Sequence, residues 1–487
     1  MKVLICIPCL LTGGTEIQTL NTVHALVQGG HEVTVACYFE HTPDMVARYR
    51  KAGAEVLLFS PEGIRVGGYK SILFLYRHLR RAVKAVRPDV VHVQYMAPGA
   101  TVILLLWLMG VKNIIATAHT AADIYKDLRL IHFLQRHCLR AWTCITERAE
   151  RSFFGTSQLY TPETVLGKRN HFTIYNSLPA KLGWSCNEYE DEDADAKGAS
   201  VATAARSISA ACDEGRFIFP EERALAPLGL SSPRSETLSP FIENCHPDGD
   251  SKHYTLHSKQ EFSPTDSHES AQILQVASPL LASGAQSHLK GNLSSSSLSS
   301  SSQKDPSAPF VLGVVSRLEP IKGMDLVVPA LAEVLKAYPA TQLLVVGDGT
   351  LRASMEEQAA QLGCADHIRW VGRQPQEELP QWYGQMDIVL MPSRSEGFGL
   401  TAIEAMACGC VMVASDTGGL PEVVRDGVCG LLHRTEDVTD MAAKISVLIG
   451  DATLYDTLRT QSLKEVEKYS FERYAALMND FYNKLGK

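Results

Sequence analysis

Residues 391–409 read MPSRSEGFGLTAIEAMACG, and this stretch decides the fold prediction for its half of the chain. The apolar run Ile388–Met391 before it predicts a buried strand. A glycine-rich loop follows, residues Gly399 to Cys408 predict a helix, and Gly409 ends that helix. A strand that leads through such a loop into a helix is the building unit of a parallel α/β sheet.

The start of this predicted helix is suited to a diphosphate. Free N–H groups and the positive end of the helix dipole collect there, and Gly397 and Gly399 have no side chains to keep phosphate oxygens away. Glu396 precedes this point, and Glu404 follows it by about a turn and a half. The two carboxylates can accept hydrogen bonds from a sugar and from a ribose on either side of a diphosphate. The alternative is a helix with two solvated glutamates, and the stretch alone does not decide between them.

Short apolar runs alternate with helical patterns in residues 1–180 and again from residue 309. They predict parallel strands that are buried on both faces. We therefore predict the α/β fold class, with two doubly wound Rossmann-like domains at 1–180 and 309–470. The predicted strands are Val3–Ile7, Val33–Cys37, Val56–Phe59, Val90–Val93, Ile114–Ala118, Phe172–Tyr175, Val311–Val315, Leu343–Val346, Ile368–Val371, Ile388–Met391 and Val411–Ala414.

Residues 181–308 lack this alternation and are rich in Ser, Asp, Glu and Pro. Such a composition cannot bury enough apolar area to offset the entropy lost on ordering, so we predict a largely disordered insertion between the two domains. The acidic run at Asp191, Asp193 and Asp195 has a spacing that some transferases use for a divalent cation. No apolar strand leads into it, and a solvated acidic run is the prediction we favour.

A pair of basic residues and a pair of glycines also follow predicted strands. Arg317 and Lys322 come after an apolar strand, at the edge where ligands of open α/β sheets bind. Fixed cations there can stabilise the negative charge of a leaving nucleoside diphosphate without a metal. Gly13 and Gly14 follow the first strand and precede a helix, so a second glycine-rich backbone is predicted to face the same diphosphate.

Charge is distributed unevenly along the chain. The net charge is −8 at pH 7, yet residues 1–180 carry 20 basic and 12 acidic side chains. The amphipathic stretches Tyr69–Arg87 and Tyr125–Trp142 concentrate these basic residues. They predict contact with an anionic membrane surface or with a phosphorylated acceptor, and a solvated helix face is the alternative. We predict no nucleic-acid partner. The apolar run at 101–111 is too short to span a bilayer and predicts a core helix.

The cysteines and the start of the chain predict the compartment. The 12 cysteines are scattered, and Met1 and Lys2 lead directly into a strand rather than a secretory signal. We therefore predict a reducing, cytoplasmic location, with peripheral contact at the inner face of the membrane as an option. Cys6 and Cys9 have the spacing of a redox or zinc site, but we favour a strand residue and a loop thiol.

The motifs, taken in order, resemble the retaining family-4 glycosyltransferases with the GT-B fold. The resemblance covers the chain outside the insertion. It rests on Gly13-Gly14-Thr-Glu16, Gly29-Gly30-His31-Glu32-Val33, Pro88-Asp89-Val-Val-His92, Ala118-His119, Asn176, Ser316-Arg317-Leu318, Lys322-Gly323, Val346-Gly347-Asp348-Gly349, Glu396-Gly-Phe-Gly-Leu400, Glu404-Ala-Met-Ala and Gly418-Gly419-Leu420-Pro421-Glu422. Two departures are Asn176-Ser-Leu-Pro179, where the family has Asn-Gly-Val-Asp, and Thr146, where it has serine.

The resemblance implies roles for these residues. Glu404 would bind the nucleotide ribose, and Glu396 the hydroxyls of the donor sugar. Gly14 would approach the donor from the first domain, and His119 would contact the transferred sugar near the reacting carbon. The phosphates would be held by Gly399, Leu400, Thr401, Arg317 and Lys322. A last helix at 471–487 would cross back onto the first domain.

The predicted function is therefore transfer of a sugar from a nucleotide-diphosphate donor to a hydroxyl of a saccharide or lipid-linked saccharide, with retention and without metal or cofactor. His119 and Glu396 are the predicted catalytic pair in the sense that they position the sugar. An epimerase or phosphorylase on the same fold and a silent scaffold stay open as alternatives. A dinucleotide dehydrogenase fits less well, because the glycine turns lack the full fingerprint.

Overall fold

The computed structural model of the protein describes residues 1–94, 96–122, 125, 127–167, 169–180 and 308–486. The predicted insertion at 181–308, with its acidic run at 191–195, lies outside these residues except for Ala308. The described elements are numbered below in chain order.

The first sheet has seven parallel strands in the order β3-β2-β1-β4-β5-β6-β7. The strands are β1 (Lys2–Ile7), β2 (Glu32–Cys37), β3 (Glu55–Leu58), β4 (Val90–Gln94), β5 (Ile114–Ala118), β6 (Ala141–Cys144) and β7 (His171–Thr173). The helices between them are α1 (Gly14–Gln28), α2 (Pro43–Lys51), α3 (Gly68–Val86), α4 (Met96–Leu108), α5 (Arg129–His137) and α6 (Glu147–Phe154).

The second sheet has six parallel strands in the order β10-β9-β8-β11-β12-β13. The strands are β8 (Val311–Val315), β9 (Gln342–Val346), β10 (Ile368–Gly372), β11 (Ile388–Met391), β12 (Val411–Ser415) and β13 (Gly430–His433). The helices are α7 (Val327–Leu335), α8 (Arg352–Gln361), α9 (Leu379–Tyr383), α10 (Leu400–Ala407), α11 (Leu420–Val423), α12 (Val438–Gly450), α13 (Ala452–Val466) and α14 (Phe471–Leu485).

Helices cover both faces of the first sheet, because its strand side chains are apolar on both sides. On one face the strand side chains pack against α1, α2 and α14. On the other face they pack against α3, α4, α5 and α6. The last helix, α14, returns to the first sheet: Tyr474 OH lies 2.7 Å from Thr22 Oγ1 on α1, and Tyr482 OH lies 2.6 Å from His92 Nδ1 on β4.

The predicted fold class is confirmed, since two doubly wound parallel sheets are present. Three details of the prediction were wrong. The strand expected at Phe172–Tyr175 is His171–Thr173. The amphipathic stretch that was extended to Trp142 ends as α5 at His137, and Trp142 is a buried residue of β6. Strands β6 and β13 were not predicted, because their sequences, AWTC and GLLH, lack the continuous aliphatic run that marked the other strands.

The apolar run at 101–111 lies largely within α4, where Val102, Ile103 and Leu106 are fully buried in the core. The core-helix prediction is confirmed. None of the helices in the described ranges is long and apolar enough to cross a membrane.

Candidate functional site

The site is assembled from chain segments that follow parallel strands of both sheets. Lys322 follows β8 and lies in the single helical turn Pro320–Lys322. Glu396 lies in the loop between β11 and α10, and the Lys322 Nζ donates to its Oε2 over 2.7 Å. Both side chains are less than a quarter exposed. The structure thus brings together the predicted phosphate cation and the predicted sugar carboxylate, which are 74 residues apart in the chain.

The start of α10 lies against the start of α1. Gly399 is the N-cap of α10 with φ of 103°, a left-handed conformation that a side chain would strain. Leu400 and Thr401 form the first turn and are half-buried. A Cβ placed at Gly14, the first residue of α1, would lie 3.5 Å from Leu400 Cδ1. Two helix N-termini, with their unpaired N–H groups, therefore come together at the predicted diphosphate position.

The loops beside these helix starts also meet. Arg373, which follows β10, donates from Nη2 to Thr12 Oγ1 over 3.0 Å. Thr12 immediately precedes Gly13 and Gly14. The glycine-rich loop of the first domain is thereby tied to the second domain near the predicted donor. Arg373 was not among the predicted site residues, because only the fold brings it to that loop.

His119 follows β5 and is buried. Its Nε2 lies 2.7 Å from Gln94 Oε1; a carboxamide oxygen only accepts, so the imidazole donates. Burial lowers the pKa of His119 to about 3, so the ring is neutral near pH 7. Its backbone oxygen touches the Glu396 loop, since a Cβ at Gly397 would lie 2.3 Å from it. The two predicted catalytic residues thus lie on adjoining backbone segments of opposite domains.

Gln94 is a site residue that the sequence did not reveal. It ends β4, and the register pairs it with Thr117 two residues before His119. The rule that parallel strand ends share one sheet edge would have pointed to it, had the side chain been considered there. The neighbouring His92, which we left as structural, is buried with its Nε2 2.6 Å from Thr117 Oγ1.

Glu404 lies on α10 and is buried, with Tyr383 OH donating to its Oε2 over 3.1 Å. Burial raises the pKa of Glu404 to about 7, and hydrogen bonds from Tyr383 and Gln376 oppose that shift. Tyr383 and Gln376 were also not predicted. Gln376 further accepts a hydrogen bond from Arg48 Nη2 on α2, over 2.8 Å. The predicted ribose carboxylate is therefore linked through Gln376 to the first domain.

Arg317 is the predicted site residue that stands apart. It follows β8 and is exposed. Hydrogen bonds from Thr350 lower the pKa of Glu319, and the nearby Arg317 charge adds to this shift. The structure records no hydrogen bond or ion pair of Arg317 with another described site residue, so its part in phosphate binding stays a prediction.

Glu422 joins the two domains. Its carboxylate accepts from the backbone N–H of Glu147 over 2.8 Å and from that of Arg148 over 2.5 Å. These N–H groups start α6, whose N-cap Thr146 accepts from Ala149 N–H. A carboxylate at a helix N-terminus is favourable for charge and hydrogen bonding alike. Glu422 belongs to the Gly418–Glu422 motif, but the sequence assigned it no role.

The Cys6–Cys9 pair is not arranged as a thiolate site. Cys6 is buried in β1, and burial raises the pKa of its thiol to about 12. The Cys9 Sγ lies 3.2 Å from Glu16 Oε1, and its pKa is also raised, first by burial. In the described part of the chain, no cluster of three His, Cys, Asp or Glu side chains is placed to hold a metal ion.

Two family models match the chain. The model of Glycosyltransferase Family 4 matches residues 12–154, and the model of glycosyl transferases group 1 matches residues 298–465. Together the two matches span more than half of the chain, and they fall on the first and the second domain.

Several similar proteins carry the same name. A D-inositol 3-phosphate glycosyltransferase of Nocardia farcinica (strain IFM 10152) is 41% identical over 168 residues, which are 33% of this chain and 36% of that protein. The protein of the same name from Corynebacterium jeikeium (strain K411) is 34% identical over 194 residues, or 38% of this chain and 46% of that protein. The matched part spans less than half the length of these relatives.

Solved structures show the same architecture. Anabaena Alr3699/HepE in complex with UDP superposes with a TM-score of 0.62 at 15% identity, over 99% of this chain and 100% of that chain. A glycosyltransferase from Rickettsia africae ESF-5 superposes with a TM-score of 0.63 at 13% identity, over 99% and 98% of the two chains. Fold, motif order and both family models agree: the chain belongs to the family-4 glycosyltransferases with the GT-B fold.

Proposed function

We propose that the protein transfers a sugar from a nucleoside-diphosphate donor to a hydroxyl acceptor, with retention at the anomeric carbon. One observation carries this proposal above the others. The Lys322–Glu396 ion pair, at 2.7 Å, lies in the same site as a helix start that Gly14 approaches from the other domain. A cation, a carboxylate and two helix N-termini in one cleft match the charge pattern of a sugar diphosphate.

In the proposed reaction, the bond between the anomeric carbon and the diphosphate oxygen breaks, and the acceptor oxygen bonds to that carbon on the same face. The acceptor proton passes to the leaving phosphate oxygen, so no protein base is needed. Lys322 and the start of α10 stabilise the charge that develops on the diphosphate. Glu396 and neutral His119 hold the sugar hydroxyls and orient the reacting carbon.

The donor end of the site supports a nucleotide. We assign the ribose to Glu404, whose buried carboxylate accepts hydrogen bonds from Tyr383 and Gln376. HepE has been crystallised with UDP and with UDP-glucose, which makes uridine diphosphate sugars the first donors to test. The screen described below identifies the base and the sugar that this protein uses.

The acceptor is proposed to bind mainly to the basic first domain. The relatives are named for D-inositol 3-phosphate, a phosphorylated polyol, and a basic surface suits such an acceptor as well as a lipid-linked saccharide. Nine free cysteines in the described part of the chain support a reducing, cytoplasmic setting for the reaction.

The experiment is a mass-spectrometric screen of nucleotide sugars with D-inositol 3-phosphate, soluble saccharides and a membrane lipid extract as acceptors. Transfer is expected with one donor, and NMR of the product is expected to show the anomeric configuration of that donor. Product of inverted configuration would contradict the proposed mechanism.

Incubation of donor without acceptor separates the alternatives. An epimerase converts the donor sugar, and a phosphorylase releases sugar phosphate when inorganic phosphate is added. A scaffold binds donor in calorimetry or not at all, and turns over none. The Lys322–Glu396 pair and the buried Glu404 favour an active transferase over a scaffold.

A further inference from the structure

We propose that the layer formed by α3, α4 and α5 docks the protein on an anionic lipid bilayer. These helices pack in sequence on one face of the first sheet, α3 beside α4 and α4 beside α5. Their outer residues form what we call the α3–α5 face: Tyr69, Leu73, Arg77, Arg80 and Lys84 of α3, and Leu130, Phe133 and Arg136 of α5.

The charged residues on the outer side of α3 are all basic. Its residues Gly68–Val86 include Lys70, Arg77, Arg80, Arg81 and Lys84 and no acidic residue. All five cations are exposed, and none of them forms an ion pair within the described ranges of the chain. From residue 63 to residue 122 the sequence has eight basic residues and a single acidic one, Asp89.

Asp89 does not neutralise this face. It lies at the amino end of β4, where its carboxylate accepts from the Lys2 backbone N–H. On the α5 side, the carboxylate of Asp127 lies 3.9 Å from Arg129. By contrast, Arg352 of the second domain pairs with Glu356 on α8. A merely solvated helix face is expected to mix both signs in that way.

Large apolar side chains are exposed among these cations. On α3, Tyr69 is 80% exposed and Leu73 is 50% exposed. They lie in the first and second turns, on the same side of the helix as Arg77 and Lys84. On α5, Leu130 is 53% exposed and Phe133 43%. Exposed apolar residues among cations fit a surface that is both anionic and apolar, which is the interface of an acidic bilayer. A soluble phosphorylated acceptor or a nucleic acid would leave the aliphatic side chains in water.

The position of these residues relates docking to the proposed transfer. The exposed apolar residues lie in the first two turns of α3 and α5, and helices that follow parallel strands begin at the sheet edge where His119 lies. A bilayer on this face would therefore border the edge of the cleft. This step rests on the proposed function, because it assigns a lipid-linked saccharide as the acceptor.

The test is sedimentation of the full chain with vesicles of phosphatidylcholine alone, or with about 30% phosphatidylglycerol. The protein is expected to bind only the acidic vesicles, and binding is expected to fall when salt is raised from about 0.1 M to about 0.5 M. The triple variant R77A/R80A/K84A and the double variant Y69S/L73S are each expected to weaken binding about tenfold or more.

The control K336A/K464A/R473A removes three exposed cations from the second domain and α14. It is expected to bind acidic vesicles as the unchanged protein does. Thermal unfolding shows whether each variant is folded. Binding to neutral vesicles alone, equal loss in the control, or binding to a single-stranded oligonucleotide but not to vesicles would overturn docking. Vesicle binding is read without donor, so its outcome is separate from that of the transfer assay.

Discussion

The Nε2 of His119 donates to Gln94 Oε1 over 2.7 Å, between the ends of neighbouring strands β5 and β4. This hydrogen bond holds a neutral imidazole with its proton on Nε2. We therefore expect Gln94 to orient the sugar contact of His119, as a positioning residue.

Replacing Gln94 tests this role. Q94L removes the acceptor, and we expect kcat for transfer to fall about tenfold or more, since a buried donor loses its partner. Q94E places a carboxylate beside the imidazole, which raises the pKa of His119, and the rate should then change as pH falls through that new value. The measurement is kcat and KM against pH. T143V, which removes a hydroxyl that is hydrogen-bonded to Thr117, serves as control and should leave the pH profile unchanged. An unchanged pH profile in Q94E would count against the positioning role.

The Lys322–Glu396 pair is expected to be essential for transfer. We expect K322A and E396A each to lower kcat at least about 100-fold, because charge stabilisation and sugar orientation are lost. Circular dichroism and thermal unfolding should show an intact fold. K336A breaks the exposed Lys336–Glu333 pair far from the site and should keep full activity. Unchanged rates in both site variants would refute their assignment.

We expect Glu404 to make nucleotide binding dependent on pH. Its folded pKa, about 7, lies above its ordinary value because of burial. The ionised form accepts from the ribose hydroxyls, so affinity for a nucleoside diphosphate should rise as pH increases from about 6 to about 8. The sign for stability is opposite: the folded state holds this proton more tightly, so its contribution to stability falls as pH rises from about 4.5 towards 7.

Calorimetry of nucleoside diphosphate binding across this range checks the prediction. E404Q is the control. The ligand titrates in the same way in both experiments, but the variant has no carboxyl group at residue 404. The pH dependence that the unchanged protein shows and E404Q lacks belongs to Glu404. Identical profiles in the two proteins would show that Glu404 does not meet the ribose.

The Glu422 carboxylate is expected to stabilise the contact between domains. E422A leaves the Glu147 and Arg148 N–H groups at the start of α6 without their acceptor, and we expect a loss of about 1–2 kcal/mol in the free energy of unfolding. Chemical denaturation measures it. E62A, at an exposed loop residue, should lie within about 0.5 kcal/mol of the unchanged protein. A neutral effect of E422A would mean that the contact forms without net gain.

Metal removal tests the expectation that Lys322 and the helix starts are sufficient to stabilise the negative charge of the leaving diphosphate. We expect transfer to persist after treatment with EDTA and extensive dialysis, and to change little on addition of Mn²⁺ or Mg²⁺. Loss of activity that Mn²⁺ restores would show that a divalent cation takes part.

The sequence by itself determined the alternation of strands and helices, the helix start at Gly399 and the identity of Lys322, Glu396 and Glu404 as candidates. These features are local, because hydrophobic period, glycine positions and charge are written in neighbouring residues. Its errors were also local: the amphipathic stretch was extended past the end of α5 to Trp142, and strands β6 and β13 lack a continuous aliphatic run.

Only the tertiary structure decided which of these residues meet. Gln94, Tyr383 and Glu422 meet their partners through strand register, helix packing and contact between domains, respectively. The raised pKa of Glu404 and the lowered pKa of His119 depend on burial by segments distant in the chain. Register, burial and domain contact are long-range properties that depend on how the elements pack, and no short stretch of sequence contains them.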